Sequence, residues 1–282
     1  MNAAAVLTSV LALLVSTAAI AISWKIWQKL REVHLRLHRS EQHRQVLEQN
    51  LGIISRATSQ AIAAQLVDRP FDKIRCAAQH GEELYLWQAL NYRTQGVFIE
   101  IGAYDGISLS NSLFFESIGW RSLLIEAHPE LVAKCRTNRP AATVVHAALG
   151  EVDGPTLEFS MVRGPNGMDT LSFLGQAPDH EARILSRGGT IEKTTVPART
   201  LKSVLAEHSI DAIDCMSIDV EGAELAVLKA ANLGTLRPRL IVVEDNSGGS
   251  DLSVSEFLKQ NGYVQSGTVG CNVMYTSLAS HR

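Results

Sequence analysis

The sequence predicts an α/β fold: a doubly wound, mostly parallel sheet of seven strands, preceded by an N-terminal transmembrane helix and a helical stalk. Three patterns predict it. After Asp68-Arg69-Pro70, short apolar runs alternate with helix-compatible stretches, the rhythm of a parallel sheet covered on both faces. Near the end, Tyr263–Thr268 and Asn272–Thr276 read as an antiparallel pair that follows a helix at Val254–Asn261. The first 24 residues carry no charged side chain.

That uncharged segment comes first in the chain. Ala3 to Ser23 is apolar or small throughout, and Trp24 and Trp27 follow. A helix of this length spans roughly 30 Å, enough for a bilayer core. The two Trp suit an interfacial belt, and Lys25, Lys29 and Arg31 form a positive flank that stays cytoplasmic. A cleaved signal has a basic start and a shorter apolar core; neither is present, although Ser16-Thr17-Ala18-Ala19 would suit a peptidase. The expected division is an anchor over 1–24, a stalk over 25–67 and a globular domain over 68–282 on the cytoplasmic side.

In the stalk, Leu30, Val33, Leu37, Leu47, Leu51 and Ile54 step by three and four, with Ser40 and Arg44 interrupting. This reads as one or two helices, either a solvated connector, a surface lying on anionic lipid or a short coiled coil. His34 and His38 lie four apart on a basic face, where solvation is the simpler reading. The net charge of −3 is uneven: residues 25–67 carry seven Lys/Arg against three Glu, which leaves about −7 elsewhere. An acidic domain argues against a nucleic-acid substrate. Cys76, Cys135, Cys215 and Cys271 are scattered with no Cys-x-x-Cys pair, as in a reducing compartment without a zinc site.

Within the domain, the expected strands are Val97–Ile101, Ser122–Glu126, Thr143–Ala147, Met216–Asp219 and Leu240–Glu244. The expected helices between them are Leu109–Ile118, Glu130–Asn138, Leu201–Glu207 and Glu224–Ala231. Thr156–Met161 and Thr194–Pro197 read as extra strands around an insertion. With 46% apolar residues over 282, the chain can support one large core plus an accessory segment.

Val97 to Gly106 is an apolar run, a carboxylate and a Gly-x-x-x-Gly turn, placed where a nucleotide-like ligand binds at the carboxyl edge of a sheet. A dinucleotide loop wants Gly-x-Gly-x-x-Gly around a pyrophosphate. Here Gly102 and Gly106 flank Ala103, Tyr104 and Asp105, with Glu100 just before. Two carboxylates repel a pyrophosphate but suit the sulfonium and ammonium of S-adenosylmethionine (SAM). Glu126 closes the second strand, where it can accept both ribose hydroxyls. Ala147, Ala148 and Leu149 offer a small apolar seat for adenine. The expected cofactor set is Glu100, Gly102, Ala103, Asp105, Gly106, Glu126 and Ala148.

These pieces resemble the FkbM family of SAM-dependent methyltransferases. The resemblance is carried by Phe98 to Gly106, Leu124-Ile125-Glu126-Ala127-His128-Pro129, Arg199-Thr200-Leu201, and Ser217-Ile218-Asp219-Val220-Glu221-Gly222-Ala223-Glu224 with Val227-Leu228-Lys229; Gln79 to Leu84 looks like the family's segment ahead of the first strand. It covers about residues 76–276 and departs at Ala127-His128, where an Asn-rich turn is more usual. It implies a class I, Rossmann-like methyltransferase fold and O-methylation, often of a sugar hydroxyl.

Methyl transfer needs an aligned acceptor and a proton acceptor. Asp219, Glu221 and Glu244 are the expected catalytic carboxylates; Glu221 and Glu224 can equally serve a helix dipole. Asp219 with Asp245 and Asn246 is a candidate oxygen set for Mg²⁺, against a plain polar turn at 245–249. Residues 162–193 are expected to form a lid including Asn166, Asp169, Ser172 and His180, with His180 an alternative base. The expected partners are membrane lipid and a glycan or small-molecule hydroxyl acceptor.

Overall fold

The computed structural model describes residues 25, 29, 43–165, 167–175 and 178–279. The chain divides into two compact units, residues 1–50 and 51–282. In the first, residues 43–50 are helical, and Arg44 pairs with Glu48 one turn on at 2.7 Å. Among the described residues no helix is long and apolar enough to cross a membrane. The expected span, Ala3 to Ser23, lies outside the described residues, as do the stalk positions Leu30, Val33, His34, Leu37 and His38.

The second unit begins with α1 (51–66). Its Ser59 and Ala63 are fully buried, and Arg56 and Gln60 donate to the carbonyls of Ala78 and Ile74 at 2.9 and 2.7 Å. Then follow α2 (Glu82–Ala89), β1 (Val97–Ile101), α3 (Leu113–Ser117), β2 (Arg121–Glu126), α4 (Pro129–Asn138), β3 (Thr143–His146), β4 (Ala148–Leu149) and β5 (Gly154–Arg163). Next are β6 (Phe173–Leu174), α5 (Pro178–Ser186), β7 (Thr190–Arg199), α6 (Leu201–Glu207), β8 (Cys215–Ile218), α7 (Glu224–Ala230) and α8 (Leu233–Leu236). The unit ends with β9 (Leu240–Glu244), α9 (Ser253–Gln260), β10 (Tyr263–Val269) and β11 (Asn272–Ser277).

The main sheet has seven strands in the order β10-β11-β9-β8-β1-β2-β3. From β9 to β3 all neighbours are parallel, and β11 is antiparallel to both β9 and β10. Alternation along β1 explains the two-sided core. Ile99 and Ile101 join Leu123, Met216 and Ile241 on one face. Phe98 points the other way, among Phe114, Phe115 and Trp120. Each such side chain contributes about 1.5–3 kcal/mol on burial, which holds the strand in register against both helical layers. The chain leaves β1 for β2 on one side and reaches β8 on the other, so the carboxyl ends of β1 and β8 flank a topological switch point.

Three expectations shift in detail. The expected helix at Leu109–Ile118 starts only at Leu113, because Glu100 captures the Asn111 N–H and the Ser110 and Ser112 hydroxyls and holds 110–112 as a loop. The expected strand Thr143–Ala147 ends at His146; Ala148 and Leu149 pair instead with Ala198 and Arg199 of β7. The insertion is a built layer. β4-β7-β5-β6 form a second sheet, and Val162, Met168, Phe173 and Ile184 make its own small core.

Candidate active site

A cleft of about 300 Å³ opens at the carboxyl ends of the parallel strands and is walled on one side by the inserted layer. Glu100, Gly102, Ala103, Glu126, Ala148, Asp219, Glu221, Glu244 and Asn246 all line it. The structure thus brings most of the expected residues to one wall.

Gly102 sets the floor. Its φ is +84°, and an added Cβ would lie 1.7 Å from the Asp219 carbonyl oxygen. The Gly102 N–H donates to Ile125 O and the Asp219 N–H donates to Ile101 O, both at 2.9 Å. Only a residue without Cβ lets the β1 and β8 ends close this tightly.

Glu100 is buried and accepts from Ser110 Oγ at 2.8 Å, Asn111 N at 2.7 Å and Ser112 Oγ at 2.6 Å. An ionised carboxylate has about four acceptor positions, so Glu100 mainly fixes the loop and keeps roughly one position for a ligand. Glu126 accepts from Tyr104 N at 2.8 Å on one oxygen and His128 N at 2.7 Å on the other. One lone pair remains on each oxygen, the pattern a vicinal diol needs. Ala148, Phe159 and part-buried Ala127 pack together beside it as a flat apolar seat.

Asp105 and Gly106 lie off this wall. The Asp105 carboxylate accepts from Ile107 N, Ser108 N and Ser108 Oγ at 2.7–2.8 Å, closing a tight turn on itself. Gly106 packs against Arg139 and Cys135, and its carbonyl accepts from Arg139 Nη1 at 2.8 Å. Of the expected cation set, Asp219 and Asn246 line the cleft and Asp245 does not. Asp245 accepts from the N–H groups of Ser247 and Gly249, and the Asn246 amide donates to Glu244 at 2.6 Å.

The acidic group that does meet is Asp219, Glu221 and Glu244, whose nearest carboxylate oxygens all lie within 4.8 Å of one another. Enclosure by the cleft walls, then the neighbouring Glu244 charge and a hydrogen bond to it, hold the Asp219 carboxyl well above the ordinary range. Two carboxylates can hydrogen-bond only through a shared proton. Asp219 keeps accessible surface because its side chain opens onto the cleft, so the pair is enclosed yet reachable. Burial and then Glu244 push Glu221 up to about 7.

The inserted layer supplies the remaining wall. Tyr104 Oη donates to Asp169 at 3.0 Å, which ties the β1 loop to it. Ser172 Oγ donates to the Asp169 carbonyl and accepts from Val162 N, a structural role. Asn166 lies outside the described residues. His180 is no free base: both ring nitrogens are bound, Nε2 to Leu171 O and Nδ1 to Arg183, each at 2.8 Å.

Arg139 escaped the sequence reading. It is 1% exposed and grips Glu116 with two bonds of 3.0 and 2.8 Å while donating to Gly106 O, Ser110 Oγ and Ser112 Oγ. Those two hydroxyls then donate to Glu100, so one buried guanidinium organises the whole β1 loop. The partners lie 23 to 33 residues away, which leaves no local pattern to read.

The family profile described as methyltransferase FkbM domain matches residues 100–264, more than half of the chain. The chain belongs to the FkbM methyltransferase family. It is therefore a SAM-dependent methyltransferase with the class I fold. Solved structures similar to this FkbM chain include a precorrin-6y methyltransferase of Geobacter metallireducens (15% identical, 72% of this chain and 93% of that one, TM-score 0.37). Others are a human methyltransferase 10 domain containing protein (15%, 79% and 96%, 0.41) and Aeropyrum pernix fibrillarin with natively bound SAM (14%, 64% and 66%, 0.36). The assignment rests on the family match, not on these likenesses. Among curated proteins, none matches the chain.

Buried carboxyls, in the site and outside it, also make stability depend on pH. Burial pushes Glu83, Glu126 and Glu221 each up to about 7. A carboxyl raised on folding binds more protons folded than unfolded, so its stabilisation is full below about pH 4.5 and is lost as pH rises through 7. Burial lowers His128, which opposes the trend with one group. The cofactor-free FkbM chain is expected to melt about 5 °C or more higher at pH 5.5 than at pH 8. A melting temperature that climbs with pH across this window would contradict these assignments.

Proposed function

We propose that the chain is a membrane-anchored O-methyltransferase acting on a saccharide or other hydroxyl acceptor. The observation that carries this reading is the cluster of Asp219, Glu221 and Glu244, whose carboxylate oxygens lie within 4.8 Å of one another on the cleft wall beside Gly102. When bound, SAM supplies an electrophilic methyl whose bond to sulfur breaks with the electron pair left on sulfur. Glu126 and the Ala148–Phe159 seat suit the nucleoside, and the acidic wall suits its cationic end. Once its own proton has left, Asp219 orients the acceptor hydroxyl and takes the hydroxyl proton as the oxygen–methyl bond forms.

Calorimetry with SAM on the full chain tests the cofactor half. Wild type is expected to bind, and Glu126→Gln to bind about ten- to a hundredfold more weakly, the loss of one or two charge-assisted hydrogen bonds. No binding by wild type would remove the enzyme reading and leave a non-catalytic scaffold on the same fold.

The anchor places the reaction at a membrane surface, so a lipid-linked glycan precursor is the acceptor this reading favours over a soluble metabolite. The support is the uncharged run Ala3–Ser23 with Lys25, Lys29 and Arg31 after it. A reporter fused after Arg282 should be active on the cytoplasmic side; activity only on the outer side would overturn the orientation.

A further inference from the structure

Six carboxylates line the cleft, and against them stand two guanidinium groups, Arg183 and Arg187. Arg183 lies in the last turn of α5 and Arg187 in the turn just after it, on the inserted layer that forms the wall facing the strand ends. Both side chains reach the same cleft.

Arg183 is held in place rather than neutralised. The Leu171 carbonyl can only accept, so His180 Nε2 carries the imidazole proton and Nδ1 accepts from Arg183 Nη2 at 2.8 Å. Phe173 packs edge-on against His180 at 4.9 Å and fixes that ring. The carboxylate of Glu221 stands 3.9 Å away, at the limit of an ion pair, and Arg183 Nε is buried with no hydrogen-bond partner. Arg187 makes no side-chain hydrogen bond or ion pair among the described residues, and it lines the cleft while exposed. A buried guanidinium N–H without a partner, as in Arg183, is costly, and two guanidinium groups lining one cleft form a ready receptor for an oxyanion.

The Arg183 end of the wall touches Glu221, next to Asp219 and Glu244, and not the Glu126–Ala148 end where the nucleoside fits. We propose that the methyl acceptor is an anionic hydroxyl compound. Its carboxylate or phosphoryl group is held by Arg183 and Arg187 while its hydroxyl meets Asp219 and Glu244. This rests on the O-methyltransferase reading and gives it a substrate class. It also assigns a purpose to the α5 part of the insertion, which supplies acceptor specificity to the cleft.

The test uses the full chain and three probes of one scaffold: glucose, glucuronate and glucose 6-phosphate. With S-adenosylhomocysteine bound, at least one charged probe is expected to bind about tenfold or more tightly than glucose, and to weaken with salt. Arg187→Gln, at an exposed and unpartnered position, should remove this preference without affecting folding. Arg183→Gln should do the same, and both variants should keep SAM affinity within about twofold of wild type. Equal or undetectable binding of all three probes would overturn the proposal. Loss of SAM affinity in the variants would also overturn it, by assigning the arginines to the cofactor's own carboxylate; the methyltransferase reading would stand in both cases. Absence of SAM binding by the wild-type chain would instead sink the underlying reading, and this inference with it.

Discussion

Gly102→Ala is expected to abolish SAM binding and to lower the melting temperature by about 10 °C. The new methyl group would sit 1.7 Å from the Asp219 carbonyl oxygen, at a φ of +84°. That oxygen belongs to the backbone at the end of β8, so no rotamer change relieves the clash. Left-handed strain of about 1–2 kcal/mol and overpacking of about 1–3 kcal/mol add at this one position. Either β1 and β8 part at their carboxyl ends or the loop after β1 refolds. Both outcomes move Asp219 and the Glu100 loop together. Gly222 makes a useful control: it also has positive φ, +100°, but nothing lies within 4 Å of its added Cβ. Ala there should cost only the backbone strain. Thermal melts and SAM calorimetry on the two variants check this, and a Gly102→Ala chain that melts and binds like wild type would refute the close-approach account.

Asp219→Asn is expected to cut turnover by about 10²–10⁴ while SAM affinity stays within a few-fold, because general-base assistance is lost but the nucleoside seat is not. In the wild type the Asp219–Glu244 couple holds a proton to higher pH than an ordinary carboxyl. Methyl transfer should therefore rise with pH as that proton leaves, and the rise should flatten in the variant. Unchanged turnover would remove Asp219 from the mechanism.

Much of this site can be read from residue order. A parallel strand buried on both faces must be a short apolar run. Its carboxyl end must hand over to a loop, so Glu100, Glu126, Asp219 and Glu244 announce themselves as the first polar residues after such runs. Gly102 is legible for the same reason. What each carboxylate does there is less legible. Glu100, read as a cofactor ligand, spends three acceptor positions on Ser110, Asn111 and Ser112. Asp105 and Asp245, read the same way or as metal ligands, close their own turns through N–H groups two to four residues ahead. A carboxylate next to a glycine-rich turn satisfies either role, and only the backbone path chooses.

The insertion shows the opposite case. Its two long strands are visible as β-prone runs, but α5, the small Val162–Met168–Phe173–Ile184 core and the orientation of Arg183 are not. Residues 162–193 are rich in glycine and polar side chains, the composition of a loop. A core of four side chains then suffices to order them against β5 and β7.

The sequence by itself determined the alternation of strands and helices, the terminal antiparallel pair, the positions of the strand-end carboxylates and the family to which they belong. These are properties of short windows, governed by side-chain period and by what may sit at the end of a buried strand. The tertiary structure alone decided that Arg139 gathers Glu116, Gly106, Ser110 and Ser112 into one network, that Asp219, Glu221 and Glu244 meet within 4.8 Å, and that Arg183 and Arg187 line the same cleft. Most of those contacts join residues tens of positions apart. Their energy comes from burial and charge in a space that no single window contains, so the sequence shows the groups and the fold decides their partners.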